Sequence, residues 1–122
     1  MNIWKRSDGH KQPRHLAFIR KLPCAVCGTR PVEAAHVRLN RGEIGKMQAL
    51  GQKPPDRYCV PLCTRHHRED NEAQHIIGEK KFWRMHRIDP LGLADAIWSV
   101  TGDNEAAEAA VFEARRRFPW KS

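Results

Sequence analysis

A chain of 122 residues with a formal net charge of +8 and a pI near 9.8 suits a single domain, whose modest core would gain from a structural metal. The charge points to a polyanionic partner. The start, Met1-Asn-Ile-Trp-Lys-Arg, lacks a secretory apolar segment and no run approaches the roughly 20 apolar residues of a membrane span, so a cytoplasmic location, no membrane partner and metal ligation by the four cysteines are expected.

Residues 1–13 read as a basic, flexible arm, followed by one domain over 14–122. Within it a metal-centred core is expected over about 22–78 and a helical part over about 79–118. The run Arg14–Lys21 suggests a short helix with Leu16, Ile19 and Leu22 (or Phe18) inward, which Pro23 ends. Cys24-Ala-Val-Cys27-Gly28 is then a tight knuckle. Val32–Val37 reads as a strand whose alternation puts Val32, Ala34 and His36 on one face and Glu33 on the other. Residues 38–57 form a long loop with Gly42, Gly45, Gly51 and Pro54-Pro55, a length uncommon in small domains unless it has a function. Its Arg38, Arg41, Lys46, Lys53 and Arg57 are candidate phosphate contacts. Residues 1–60 hold 12 Lys/Arg against 4 Asp/Glu, whereas 61–122 hold 10 against 10, so the excess charge lies in the half containing this loop.

Tyr58–Leu62 reads as a second strand, with Pro61 at an edge or end. Pro61-Leu-Cys63-Thr-Arg-His66-His67 supplies a second knuckle, C-x-x-H, running into a helix. Two thiolates from one tight turn and a thiolate plus imidazole from another suit a tetrahedral Zn²⁺ at Cys24, Cys27, Cys63 and His66. A Cys24/Cys27/Cys59/Cys63 site is the alternative; otherwise Cys59 is a small buried residue. His67, one past the last ligand, is free to face a second site.

Arg68–His75 is polar enough for a loop or an exposed helix. Glu79–Arg87 reads as a helix with Phe82, Trp83 and Met85/His86 towards the core. Asp89-Pro90 is a helix start, with Asp as N-cap and Pro at the first helical position. The stripe Leu91, Ala94, Ile97, Trp98 runs towards Gly102. Asp103 caps a last helix whose end, Arg115-Arg-Arg117, suits the negative end of the helix dipole.

Several of these runs taken together resemble the zinc-ribbon branch of the HNH endonucleases, and more narrowly the phage recombination-enhancement (Ref-like) nucleases. They are His15-Leu-Ala-Phe-Ile-Arg-Lys-Leu-Pro-Cys24, Ala35-His36-Val37-Arg38, Lys53-Pro-Pro-Asp56, Val60–His67, Gln74-His75, Gly78-Glu79, Phe82-Trp83 and Ile88-Asp-Pro-Leu91. The resemblance implies an α+β fold: a small zinc-stabilised ββα-metal core with additional C-terminal helices. It implies a hydrolase cutting DNA, single- or double-stranded and with low sequence specificity, in phage or bacterial recombination. A recombinase filament is then a candidate partner, and the bacterial or phage-infected host cytoplasm the setting. His36 would be the general base and His67 a ligand of a catalytic Mg²⁺ or Mn²⁺.

Two positions depart from that pattern. Ala35, before the base, cannot bind metal, and Tyr58 stands where the family has asparagine. The remaining ligand is therefore sought at His75, eight residues from His67 and so about 12 Å along an ideal helix, unless the chain between them bends. Asn71, at i+4 from His67, is the geometric alternative, and Glu33 could help only through a bulge. A zinc-ribbon DNA-binding module without nuclease activity is the rival expectation.

Overall fold

The computed structural model describes residues 11–39 and 54–121. Among them the chain runs α1 (Pro13–Ile19), β1 (Glu33–His36), β2 (Cys59–Leu62), a π-helical turn (Arg65–Glu69), α2 (Gln74–Ile77), α3 (Glu79–His86), α4 (Pro90–Ser99), α5 (Asn104–Phe112) and α6 (Ala114–Arg117). This is a mixed α+β architecture built on a small two-stranded sheet, and no helix of the described residues is long and apolar enough to cross a membrane.

The strands pair antiparallel in unbroken register, Glu33 opposite Leu62 and His36 opposite Cys59. Every residue of β2 is buried, as are Ala35 and Val37 on the first strand side, so the sheet lies inside the core. Helix α1 packs on both strands and α4 on β2. Pro13 starts α1 with its pre-set φ, and Phe18, Ile19 and Leu22 go into the core with His15 beside them, while Leu16 is only partly buried. His15 was not among the expected core residues. Its Nδ1 hydrogen-bonds Thr101 Oγ1 at 2.7 Å and its ring meets Trp98 edge-on, a long-range partnership that satisfies one nitrogen of a buried imidazole.

Gln12 and Pro13, read from the sequence as part of the basic arm, are held in the fold. Gln12 is buried and its backbone N–H donates to Asp56 Oδ2 at 2.9 Å, so the fold takes hold before residue 13. Residues 1–10 lie outside the described residues, as do Arg41, Lys46 and Lys53 of the basic loop.

Both aspartate caps are present. Asp89 accepts from Leu91 N and Asp103 from Ala106 N, each satisfying an otherwise orphaned first-turn donor. The final helix, expected as one, is two. Glu113 leaves helical geometry at φ −102°, ψ 16°, and the chain turns so that Phe118 O accepts Asp89 N at 2.7 Å and Pro119 bridges Ile88. In α3, Phe82 and Trp83 are fully buried, but Met85 is exposed.

Candidate functional site

The first knuckle is closed by its own backbone: Gly28 N donates to Cys24 O and Cys24 N to Thr29 O, both at 2.9 Å. Gly28 sits at φ +78°, a conformation that favours glycine. Ala25 N donates to Pro61 O, which ties the knuckle to β2 just before Cys63. The second knuckle leaves β2 and enters the π-helical turn. Side chains of neighbouring helical residues diverge by about 100°, so His66 turns to the cysteines and His67 away from them.

Cys24, Cys27, Cys63 and His66 form a group whose ligand atoms all lie within 4.8 Å of one another, and it can hold a structural metal such as zinc. His66 Nδ1 is 3.2 Å from Cys63 Sγ and 3.9 Å from Cys24 Sγ, and Cys27 Sγ is 3.8 Å from Cys63 Sγ. A tetrahedral zinc with its usual bond lengths holds its ligands about 3.5–3.8 Å apart, and these three edges, 3.2–3.9 Å, lie close to that spacing. Cys59 is not of this group. It pairs with His36 across the sheet, fully buried in β2.

The thiols are unequal. Burial pushes Cys24 up to about 11, against the N–H groups that favour its thiolate, Val26 N at 3.4 Å among them. Burial also acts on Cys27, but hydrogen bonds from Thr29, then from Cys24 and Cys63, outweigh it and its pKa falls. A divalent ion held there would supply the charge that favours the thiolate of the buried member. His86 lies edge-on to His66 at 6.0 Å and its carbonyl takes Arg115 Nε at 3.0 Å, so α3 and α6 back the cluster from behind. Sequence reasoning did not assign this supporting position to His86.

His67 and His75 meet. Their ring centroids are 4.4 Å apart, because the helical turn stops at Glu69, Asp70 is extended (φ −70°, ψ 157°), and the chain folds back into α2. The expected obstacle, their separation along one helix, is removed by that bend. The same bend removes the i+4 relation that recommended Asn71, which is exposed in the intervening turn. His75 is held by its neighbour: Gln74 is buried and its Oε1 accepts Trp83 Nε1 at 2.7 Å, which fastens α2 to α3.

Glu33 reaches His67 with no bulge. Its Oε1 lies 2.7 Å from His67 Nδ1, and Arg68 grips the same carboxylate at 2.8 and 3.2 Å. Those Arg68 hydrogen bonds hold Glu33 below the usual carboxylate range, against burial and with help from His67. Burial, then the fields of His67, Arg38 and Arg68, push His75 below the ordinary histidine value, with Glu33 opposing. Two imidazoles, a carboxylate and two guanidinium groups are thus gathered on one side of the sheet.

His36 faces the other way. Alternation along β1 puts it opposite Glu33, and its Nε2 lies 2.9 Å from Asp56 Oδ1, both side chains largely buried. Asp56 was not singled out from the sequence as a functional residue, since nothing local ties it to a histidine twenty positions earlier. His36 nonetheless ends β1, and the chain leaving it passes the His67/His75 cluster. Arg38 N donates to both carboxylate oxygens of Glu79 at 2.9 Å, and Arg38 acts on His75. Arg57 does not extend this basic edge: it pairs with Asp95 at 3.4 Å and stacks over Tyr58 and Trp98, packed against α4.

Residues 1–85, which carry every ligand of the zinc-type cluster together with Glu33, His36, His67 and His75, match the family described as "Protein of unknown function (DUF968)". The chain is similar to the uncharacterized protein YdfU of Escherichia coli (strain K12), 32% identical over 69 residues. That match takes in 57% of this chain and 18% of the relative, so the chain spans under a fifth of the length of YdfU. No solved structure matches the chain. With well over half of its length matched, the chain belongs to the DUF968 family.

Proposed function

We propose that this protein is a metal-dependent endonuclease of the HNH type, hydrolysing DNA phosphodiester bonds around a fold held by a structural zinc. The observation that carries the reading is the meeting of His67 with His75 at 4.4 Å, with Glu33 2.7 Å from His67. Two imidazole nitrogens and a carboxylate suit a divalent transition ion such as Mn²⁺ better than Mg²⁺, which prefers oxygen. His67 and His75 would hold that ion, with Glu33 beside them. When bound it supplies Lewis-acid stabilisation of charge on the scissile phosphate.

The remaining roles belong to the chain. Arg38 and Arg68 flank the cluster as cations for phosphate, and removing phosphate contacts from a low-specificity binder weakens all sequences alike. The resemblance, and not proximity to the ion's ligands, gives His36 the role of taking a proton from water, since β1 turns it to the face opposite Glu33. The Asp56 carboxylate, accepting from Nε2, sets the ring's tautomer and leaves the other nitrogen as the proton acceptor. The buried, methyl-only Ala35 supplies nothing to the ion, which is why its ligands are drawn from the turn and α2.

One feature favours the second reading, a zinc-ribbon DNA-binding module: Glu33 is already gripped by Arg68, as a purely structural ion pair would be. A cleavage panel on single- and double-stranded circular DNA, with and without a recombinase filament, separates the two. The nuclease reading expects Mn²⁺-dependent nicking. His67→Ala and His75→Ala should raise the Mn²⁺ requirement. His36→Ala and Asp56→Asn should lower the rate, the first by about 10²- to 10⁴-fold, at an unchanged metal requirement. Zinc-loaded wild type that binds DNA but cuts neither form with any divalent ion leaves the binding module.

A further inference from the structure

A groove of about 440 Å³ lies between the first knuckle and the junction of α5 with α6, away from the His67/His75 cluster. Its volume is in the range of small-ligand sites, about 300–1,000 Å³. One wall is the knuckle tip, Ala25 to Gly28; the other carries Phe112, Arg115 and Arg116.

Phe112 is the most exposed of the large apolar side chains among the described residues, at 65%, although its neighbour Val111 is buried in the core. The break at Glu113 ends α5 there and leaves the ring on the rim, its Cε1 3.9 Å from where a Cβ on Gly28 would stand. Of the groove's lining residues Glu113 is the single acid, and it is shared by Arg116 at 2.8 Å and Arg117 at 3.5 Å, so cations outnumber anions on that wall. The knuckle wall contributes the small apolar side chains of Ala25 and Val26 with the backbone of Gly28. The groove therefore offers an aromatic face and an apolar knuckle at one end and cationic side chains at the other.

We propose that this groove is a binding site for an unpaired nucleotide of a single strand, with the base against Phe112 and its phosphate on Arg115 and Arg116. A π-face accepts any base, so the site has little sequence preference, and a duplex, whose bases are already stacked, cannot use it. It does not depend on the nuclease reading, since it concerns binding and lies away from the residues proposed for cleavage.

The test is a fluorescence-anisotropy titration of the full, zinc-loaded chain against labelled oligo-dT and a hairpin duplex. F112A should raise the Kd for oligo-dT by about 5- to 150-fold, as loss of one stacked base does, and leave the duplex Kd unchanged. F112L, which keeps an apolar contact to Gly28, should behave like F112A, and F112W should restore binding. The double variant R115Q/R116Q, which gives up the one phosphate they share, should reduce the salt slope on the single strand by about 0.7. An unchanged Kd in F112A and F112L, or an equal loss on duplex, would overturn the proposal. So would an acidic peptide that displaces oligo-dT from wild type while binding F112A no more weakly, because the occupant would then be recognised by charge alone.

Discussion

Replacing Cys63 by alanine should unfold the protein, and the size of the effect follows from the cluster. Cys63 Sγ lies 3.2 Å from His66 Nδ1 and 3.8 Å from Cys27 Sγ, and its loss leaves three ligands. Structural zinc in small sites is worth about 10–16 kcal/mol of apparent binding free energy near neutral pH. At about 0.05–0.15 kcal/mol per residue a domain of this length has about 6–18 kcal/mol of stability in all. Losing the metal therefore removes an amount comparable to the whole. Cys59→Ala deletes a thiol from the interior of β2, outside the cluster, and should cost only about 1–2 kcal/mol. The assay is a thermal melt followed by circular dichroism, with and without chelator, alongside elemental analysis of the purified protein. Wild type should carry one zinc per chain and melt lower with chelator. Cys63→Ala should carry none and show no cooperative transition, while Cys59→Ala keeps both. A metal-free protein whose melt ignores chelator, or a Cys59→Ala variant as damaged as Cys63→Ala, would refute the assignment of ligands.

Trp83→Phe removes the donor that satisfies the buried Gln74 Oε1, and an orphaned buried acceptor costs about 1–3 kcal/mol. A urea titration should show the lower midpoint at unchanged zinc content; an unaltered midpoint would mean that α2 is fastened by something else. The pH dependence has a definite sign: burial and neighbouring cations depress His75, so its folded pKa lies below the unfolded value. Its contribution to stability is present above the unfolded value of about 6.5 and is lost as pH falls through the folded one. Zinc-loaded wild type with no second divalent ion added should therefore destabilise on acidification from pH 7, and His75→Gln should show a shallower loss, read from chemical melts at each pH. Equal slopes for the two would remove His75 from that linkage.

What was legible in the sequence was local chemistry. Aspartate caps at 89 and 103, the proline starts of two helices and the two knuckles depend on residues within a turn of one another, and spacing alone constrains such interactions. The choice of His66 over Cys59 is half of this kind. C-x-x-H is a local pattern, but only pairing β2 with β1 commits Cys59 to the sheet interior.

The candidate site beyond the zinc-type cluster needed the tertiary structure. His67 and His75 are eight residues apart, and a helical reading keeps them about 12 Å apart; the extended Asp70 and the Gln74–Trp83 hydrogen bond bring their rings to 4.4 Å. Glu33 joins them because its side chain reaches from β1 to His67, a contact spanning more than thirty residues that no periodicity encodes. Asp56 finds His36, and Arg57 leaves the basic edge for Asp95 and Trp98, for the same reason. Knuckles and caps are fixed by short loops whose closure is cheap in entropy. The site's long-range partners come together only once core burial has offset the cost of closing the long ones.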